Sequence, residues 1–231
     1  MNQLNNSVLF VTGTDTEVGK TIITSSLLKA FQAHNIMADG FKPVASGAQC
    51  VKGLWCNEDG LALQANSARK LPYDWINPNV FEPAIAPHIA AQQAGRPISI
   101  DDLDEKLARI SEGAELVLIE GAGGWQVPLT ESTRFADWVS GHRWPVVLVV
   151  GIRLGCINHA LLSEESIERS GCQVVGWVAN HIIQSDEVLD DNVDYLKKNM
   201  SAPLLGVIPH QPNPQSDKLA DFLDVTSFLE D

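Results

Sequence analysis

Six short runs of apolar, β-favouring residues recur along this chain with helical patterns between them, and that alternation restricts the fold more than any other feature. Ser7-Val8-Leu9-Phe10-Val11-Thr12 opens the series. Residues 39–44 follow, then Leu116-Val117-Leu118-Ile119, and then residues 145–150, 173–179 and 203–208. After Lys20, the positions Ile22, Ile23, Leu27, Leu28, Ala30 and Phe31 recur at helical spacing. Residues 101–111, 158–170 and 186–199 read as further helices. Strands that are apolar throughout are buried on both faces, and parallel pairing needs a helical crossover. The predicted class is therefore α/β, a parallel sheet flanked by helices on both faces, in one domain spanning residues 1–231. Ligands of such sheets collect beyond the carboxyl ends of the strands, where this chain places its glycines, acids and basic residues. Residues 46–97 are less regular and rich in Pro, Asn and Gly. Helical pieces at 59–68 and 87–94 predict an excursion over the sheet edge, not a linker.

Composition narrows the function classes. With 231 residues and 45% hydrophobic content the chain can bury a core unaided by disulfides. Its 16 Lys+Arg against 29 Asp+Glu give a net charge of −13, which opposes nucleic acid and anionic membrane surfaces as partners. The same acidity does not oppose a small triphosphate cradled by backbone N–H groups. No apolar run approaches a membrane span, and no basic-then-apolar leader stands at the amino terminus. Cys50, Cys56, Cys156 and Cys172 form no CxxC and lack histidines at zinc-finger spacing. Reduced thiols in a cytoplasmic protein are expected. The six tryptophans are scattered without basic neighbours, so they read as core or groove walls.

The sharpest motif is Gly13-Thr14-Asp15-Thr16-Glu17-Val18-Gly19-Lys20-Thr21, placed between a strand and a helix. Glycines let such a loop curl its N–H groups inward, and the helix amino terminus adds partial positive charge. Lys20 can reach outer phosphates and the Thr21 hydroxyl can ligate Mg²⁺. Five residues separate Gly13 from Gly19, where the usual phosphate loop has four, so this is a variant P-loop. Glu120 directly follows an apolar strand, where an acidic metal ligand is expected. Asp59 reads either as a second ligand or as a first-turn helix acid. Gly121, Ala122 and Gly123, continuing to Gly124, read as backbone that approaches a phosphate or as a flexible turn. Lys42 ends the second strand beside Ser46; its head must find an anion or solvent. Gly155-Cys156-Ile157-Asn158 opens a helix whose free N–H groups could bind a carboxylate. Cys156 and His159 also invite a nucleophile pair, though a buried Cys and a capping Asn158 explain the same letters.

These residues resemble the dethiobiotin synthetase family, P-loop NTPase-like enzymes of biotin synthesis. The resemblance rests on the loop from Gly13 to Thr21, Lys42-Pro43-Val44-Ala45-Ser46-Gly47, Asn57-Glu58-Asp59-Gly60-Leu61-Ala62-Leu63, Glu120-Gly121-Ala122-Gly123-Gly124-Trp125, Gly155-Cys156-Ile157-Asn158-His159-Ala160 and Gly176-Trp177-Val178-Ala179-Asn180. It runs from about residue 8 to Pro209 in the family's order, and it includes the five-residue loop spacing. It implies a homodimer that uses MgATP and CO₂ to carboxylate 7,8-diaminopelargonate and close a ureido ring. Residue by residue, it implies that Glu17, Val18, Gly19, Lys20, Thr21 and Ile22 line the triphosphate, and that Thr21, Asp59 and Glu120 hold Mg²⁺. Lys42, with Lys20, matches the catalytic lysines, and Ser46 a substrate contact. Gly155, Cys156, Ile157 and Asn158 would receive the substrate carboxylate across the dimer interface. Asn180 and His181 match the adenine side, with Pro209, His210 and Gln211 near the base. Departures are Gly60, where the family usually has Ala and the helix start is expected to loosen, and Ala86 in place of a Ser or Thr. Gln211-Pro212-Asn213-Pro214 supplies no base-specific acid. The competing readings are a partition- or switch-type P-loop ATPase acting through protein partners, and a paralogue that only binds nucleotide.

Overall fold

In the computed structural model, which describes residues 7–51, 53–184 and 187–229, strands and helices alternate from the start. The first part contains β1 (Ser7–Gly13), α1 (Lys20–Ala33), β2 (Ala38–Phe41), β3 (Val44–Ser46), β4 (Gln49–Val51) and β5 (Leu54–Cys56). Then come α2 (Glu58–Asn66), α3 (Tyr73–Ile76), β6 (Asn79–Phe81), α4 (Pro87–Gln93) and α5 (Ile100–Ser111). The second part holds β7 (Leu116–Gly124), α6 (Phe135–His142), β8 (Val146–Gly151), α7 (Cys156–Arg169) and β9 (Val174–Asn180). It ends with α8 (Glu187–Asn199), β10 (Leu204–Ile208) and α9 (Ser216–Ala220).

The central sheet has the order β10-β9-β8-β1-β7-β2, with every pair parallel. Its inner strands are sealed on both faces: Phe10, Val11, Val117, Leu118, Ile119 and Val146 to Val150 have no exposed surface. At about 25 cal/mol per Å², burial of this kind is the main drive for the fold. β1 leaves the sheet toward β2 on one side, and later strands add β8 on the other. The strand order therefore reverses beside β1, and a crevice opens at its carboxyl end. The variant loop occupies that crevice.

The excursion is built differently. β3 pairs with β6 and β4 with β5 in two small separate sheets. Arg69 ties the excursion down: its main-chain N and its Nε both donate to the buried Asp39 carboxylate of β2, at 3.0 and 2.5 Å. Its other nitrogens donate to the carbonyls of Glu112 and Ile110 after and within α5. One partly buried ion pair thus fixes the chain at Arg69 against the sheet edge.

Several boundaries shift from the sequence reading for physical reasons. The run at residues 39–44 is two strands, because Pro43 has no N–H for a ladder and Lys42 N bonds instead to the Ile76 carbonyl at 2.7 Å. β7 continues through Glu120 to Gly124, so its glycines are strand, not a flexible turn. α7 begins at Cys156, with Gly155 at the cap in a left-handed conformation (φ 92°), so Asn158 lies inside the first turn and caps nothing. α6, not expected from the sequence, buries Phe135, Trp138 and Val139 at i, i+3 and i+4, and Arg134 N donates to Asp137 Oδ2 at 2.8 Å at its start. The helix expected from residue 186 begins at Glu187 among the described residues; Asp186 lies outside them.

Candidate active site

The loop between β1 and α1 turns on two left-handed residues. Gly19 (φ 85°) caps α1, and a Cβ there would collide with the Asn180 amide. Glu17 adopts φ 59°, a conformation a non-glycine residue holds only when its surroundings impose it. Asn180 Nδ2 donates to the Val18 carbonyl at 2.9 Å, so the end of β9 fixes the back of the loop. Val18 is buried behind it. Lys20 Nζ reaches back to the Asp15 carbonyl at 2.9 Å. Burial first, and then the neighbouring Lys42 charge, lower the Lys20 ammonium from 10.5 to about 8.

A pocket of about 320 Å³ opens in front of this loop. Glu17, Gly19, Lys20 and Thr21 line one wall; Lys42, Ser46 and Asp59 line the second; Glu120, Ala122 and Gly123 form the floor. Four elements, α1, β3, α2 and β7, and two connections, the β1–α1 loop and the β2–β3 link, therefore bring ten of the expected residues to one place. Gly121 lies just behind, its carbonyl accepting from Lys42 Nζ at 2.9 Å. Ile22 faces an adjoining cleft of about 680 Å³ between α1 and α2, which shares Thr21 and Asp59 with the pocket.

Lys42 is not a surface side chain. It is 2% exposed, and its ammonium meets Glu120 Oε1 at 2.6 Å and Asp59 Oδ2 at 3.0 Å. Burial works against this charge, but the two carboxylates outweigh burial and hold the Lys42 pKa above its ordinary value. The same contest ends oppositely for the acids. Complete burial pushes Glu120 up despite Lys42, whereas Lys42 and the Thr21 hydroxyl hold the half-exposed Asp59 down.

Hydrogen-bond accounting tests whether these residues suit a cation. Thr21 Oγ1 lies 2.6 Å from Asp59 Oδ1 and 2.9 Å from Glu120 Oε1, and its single proton can satisfy only one of them at a time. Glu120 Oε2 is buried with no hydrogen-bond partner among the described residues. Oxygen acceptors outnumber donors at this point. A hydroxyl and two carboxylates are the hard donors that Mg²⁺ takes alongside phosphate oxygens and water. The residues fit the ion.

The remaining expected residues lie elsewhere. Cys156 is buried while Ile157 is partly covered and Gly155, Asn158 and His159 face outward, and none of these lines the pocket of its own subunit. A buried thiol beside an outward imidazole is no nucleophile pair. Asn180 and His181 sit behind the loop at the end of β9, where His181 N donates to the Ile208 carbonyl. Pro209, His210 and Gln211 follow β10 directly and are outside the pocket. Sequence reasoning missed Tyr73 and Asn77, which contact the main chain around Lys42 and Asp59; neither belongs to a motif, and no spacing rule points to them.

A glycine loop between a parallel strand and a helix, with a lysine, a hydroxyl and two acids at its mouth, defines a P-loop nucleotide-binding α/β protein. The MinC:MinD cell division complex of Aquifex aeolicus shares this fold, with a TM-score of 0.56 at 16% identity over 94% of this chain and 84% of that one. A family model described as an AAA domain matches residues 7–217. The ATP-dependent dethiobiotin synthetase BioD of Yersinia pestis bv. Antiqua (strain Angola) is 44% identical over 223 residues, covering 94% of this chain and 93% of that protein. The enzyme of the same name from Aeromonas salmonicida (strain A449) is 43% identical over 221 residues, covering 95% and 98%. The chain belongs to the ATP-dependent dethiobiotin synthetase family.

Proposed function

We propose that this chain is an ATP-dependent cyclo-ligase that carboxylates 7,8-diaminopelargonate with CO₂ and closes the ureido ring, releasing dethiobiotin, ADP and phosphate. The observation that carries the reading is Lys42. A nucleotide switch needs the loop, Lys20 and a metal; it has no use for a second lysine buried between the metal acids and adjoining Ser46.

An amine adds to CO₂ to give a carbamate, whose oxygen takes the γ-phosphoryl group of ATP. The neighbouring amine then attacks the carbamate carbon, and the carbon–oxygen bond to phosphate breaks. No enzyme nucleophile takes part, so Cys156 has no covalent role. The work is positioning and neutralisation of charge on oxygen. The backbone N–H groups around Glu17 to Ile22 bind the phosphates, with Lys20 turning from the Asp15 carbonyl to the outer phosphate oxygens. Lys42 faces the carbamate oxygen as it becomes phosphorylated, and Ser46 contacts the diamine. Thr21, Asp59 and Glu120 hold Mg²⁺, which when bound shields the phosphate charge. Asn180, His181 and the turn at Pro209, His210 and Gln211 flank the adenine. The outward amino end of α7, Gly155 to Asn158, offers its N–H groups to the substrate carboxylate in a second copy's pocket, which makes the working unit a homodimer.

The test is phosphate release from MgATP with the diamine or bicarbonate omitted in turn. Release that requires both supports the reading. Hydrolysis indifferent to the diamine and stimulated by a protein partner would overturn it in favour of a switch ATPase.

A further inference from the structure

Ser46 and Asp59 come from the excursion and Lys42 from the link that leaves β2 at Phe41, so none of the three lies in a ladder of the central sheet, yet all three must stand at fixed places in the pocket. One set of hydrogen bonds reaches all three. Asn77, 1% exposed, donates from Nδ2 to the Lys42 carbonyl at 2.7 Å, and the neighbouring Ile76 carbonyl accepts from Lys42 N at 2.7 Å. Both main-chain groups of Lys42 are thus held by two adjacent residues. Asn77 Oδ1 accepts from the Tyr73 hydroxyl at 2.8 Å, and the oxygen of that hydroxyl accepts from Asn57 N at 2.8 Å. Asn57 in turn caps α2 by accepting from Asp59 N at 3.0 Å, and its Nδ2 donates to the Ser46 carbonyl at 2.9 Å. The relay is unbroken from Lys42 through Tyr73 to Asp59 and Ser46.

Gly60 lies directly beneath it. A Cβ at that position would come within 2.7 Å of Asn77 Oδ1, 2.8 Å of Asn77 Cβ and 2.8 Å of the Tyr73 hydroxyl. Such approaches force something to move, and here what must move is the relay. Gly60 thus lets α2 press against Asn77. The phosphate side of the pocket is supported separately, by β1, α1 and Asn180.

We propose that Tyr73 and Asn77 are positioning residues that set Lys42 and Asp59 for carbamate phosphorylation, with Gly60 as the space they require. The proposal rests on the function inferred above. Losing the relay displaces Lys42 and Ser46, which meet the carbamate and the diamine, and with Asp59 one of the three groups that would hold Mg²⁺, while the loop and Lys20 stay in place. Misplacement by about 1 Å is enough to cost up to about a hundredfold in rate.

Tyr73→Phe keeps the ring and removes only the hydroxyl that serves as donor and acceptor. The experiment measures kcat, KM for ATP and for 7,8-diaminopelargonate, and Tm, in wild type, Tyr73→Phe, Gly60→Ala and the double variant. The expected result is a fall in kcat of about tenfold in each single variant, a raised KM for the diamine and a clearly smaller rise in KM for ATP, since Lys20 and the loop are untouched. The double variant should lose less than the product of the single losses, because both act on one relay. Unchanged kcat and diamine KM in Tyr73→Phe would overturn the proposal. So would equal changes in both KM values in step with a lowered Tm, which is what a purely structural role gives. A wild-type protein without diamine-dependent turnover would instead overturn the functional reading, and the positioning role with it.

Discussion

The two walls of the pocket are made by opposite means. The phosphate wall hangs on the central sheet: β1 is hydrogen-bonded on both sides, its residues are sealed, and the loop that follows is clamped by Asn180. The wall that carries Lys42, Ser46 and Asp59 hangs on short strands, short helices and polar side chains such as Asn57, Tyr73 and Asn77. The fold as a whole, over 94% of the chain, is shared with the MinC:MinD complex. On the function proposed above, the second wall makes the nucleotide cradle into a site for a reacting carbamate. A general function thus rests on apolar burial, and the particular chemistry on directional hydrogen bonds that a single substitution can break.

That contrast can be broken most forcefully at Lys42. Lys42→Ala should lower kcat by about 10²- to 10³-fold, as the loss of a group aimed at developing charge does, with ATP affinity within about threefold of wild type. Turnover assays beside calorimetric ATP titration check it; unchanged turnover would remove Lys42 from the mechanism. Thr21→Val is the converse. It removes the hydroxyl shared by Asp59 and Glu120 and should weaken Mg²⁺-dependent ATP binding by about 1.5–3 kcal/mol. Titration of ATP with and without Mg²⁺ reads this directly, since the metal-free affinity should change far less.

The phosphate wall was legible in the sequence because its chemistry is local: nine consecutive residues carry the loop, its lysine and its hydroxyl. The sheet was legible because burial on both faces leaves unbroken apolar runs. The second wall was legible only through family motifs. By residue chemistry alone Asp59 read equally as a first-turn acid, and Lys42 as a solvent-seeking side chain. What decided them is a contact across 78 residues of chain, Lys42 to Glu120, that no spacing rule encodes. Tyr73 and Asn77 left no trace for the same reason. The departure at Gly60 was visible, but its meaning was not: the missing Cβ is explained by Asn77, seventeen positions away and one helix over.

Two smaller effects sharpen the comparison. Arg69→Ala removes the guanidinium from the buried Asp39, which keeps the main-chain N–H of residue 69, and should destabilise the protein by about 1.5–3 kcal/mol, read as a lower denaturation midpoint. Because Arg69 ties the excursion to the sheet edge, the loss of diamine turnover with temperature should precede the loss of ATP binding. Just after β9, His181 is buried with Nδ1 unpartnered among the described residues, and burial holds its pKa below 6.5 despite Asp190. The folded state thus favours neutral imidazole. Its contribution is complete above pH 6.5 and is lost as pH falls through the lower folded value, because the unfolded chain takes up the proton first. Tm should therefore fall more steeply in mildly acid buffer for wild type than for His181→Gln, and parallel Tm–pH curves would contradict this.

The most direct measurement follows the oxygen. The enzyme is supplied with MgATP, 7,8-diaminopelargonate and a brief pulse of carbon dioxide labelled with heavy oxygen, and both products are weighed by mass spectrometry. Phosphorylation of a carbamate requires that a labelled oxygen leave with the phosphate, that dethiobiotin form in equal amount, and that neither appear without the diamine. Phosphate released without label, in amounts indifferent to the diamine, would mean that water attacks ATP in this pocket and that Lys42 serves no carbamate.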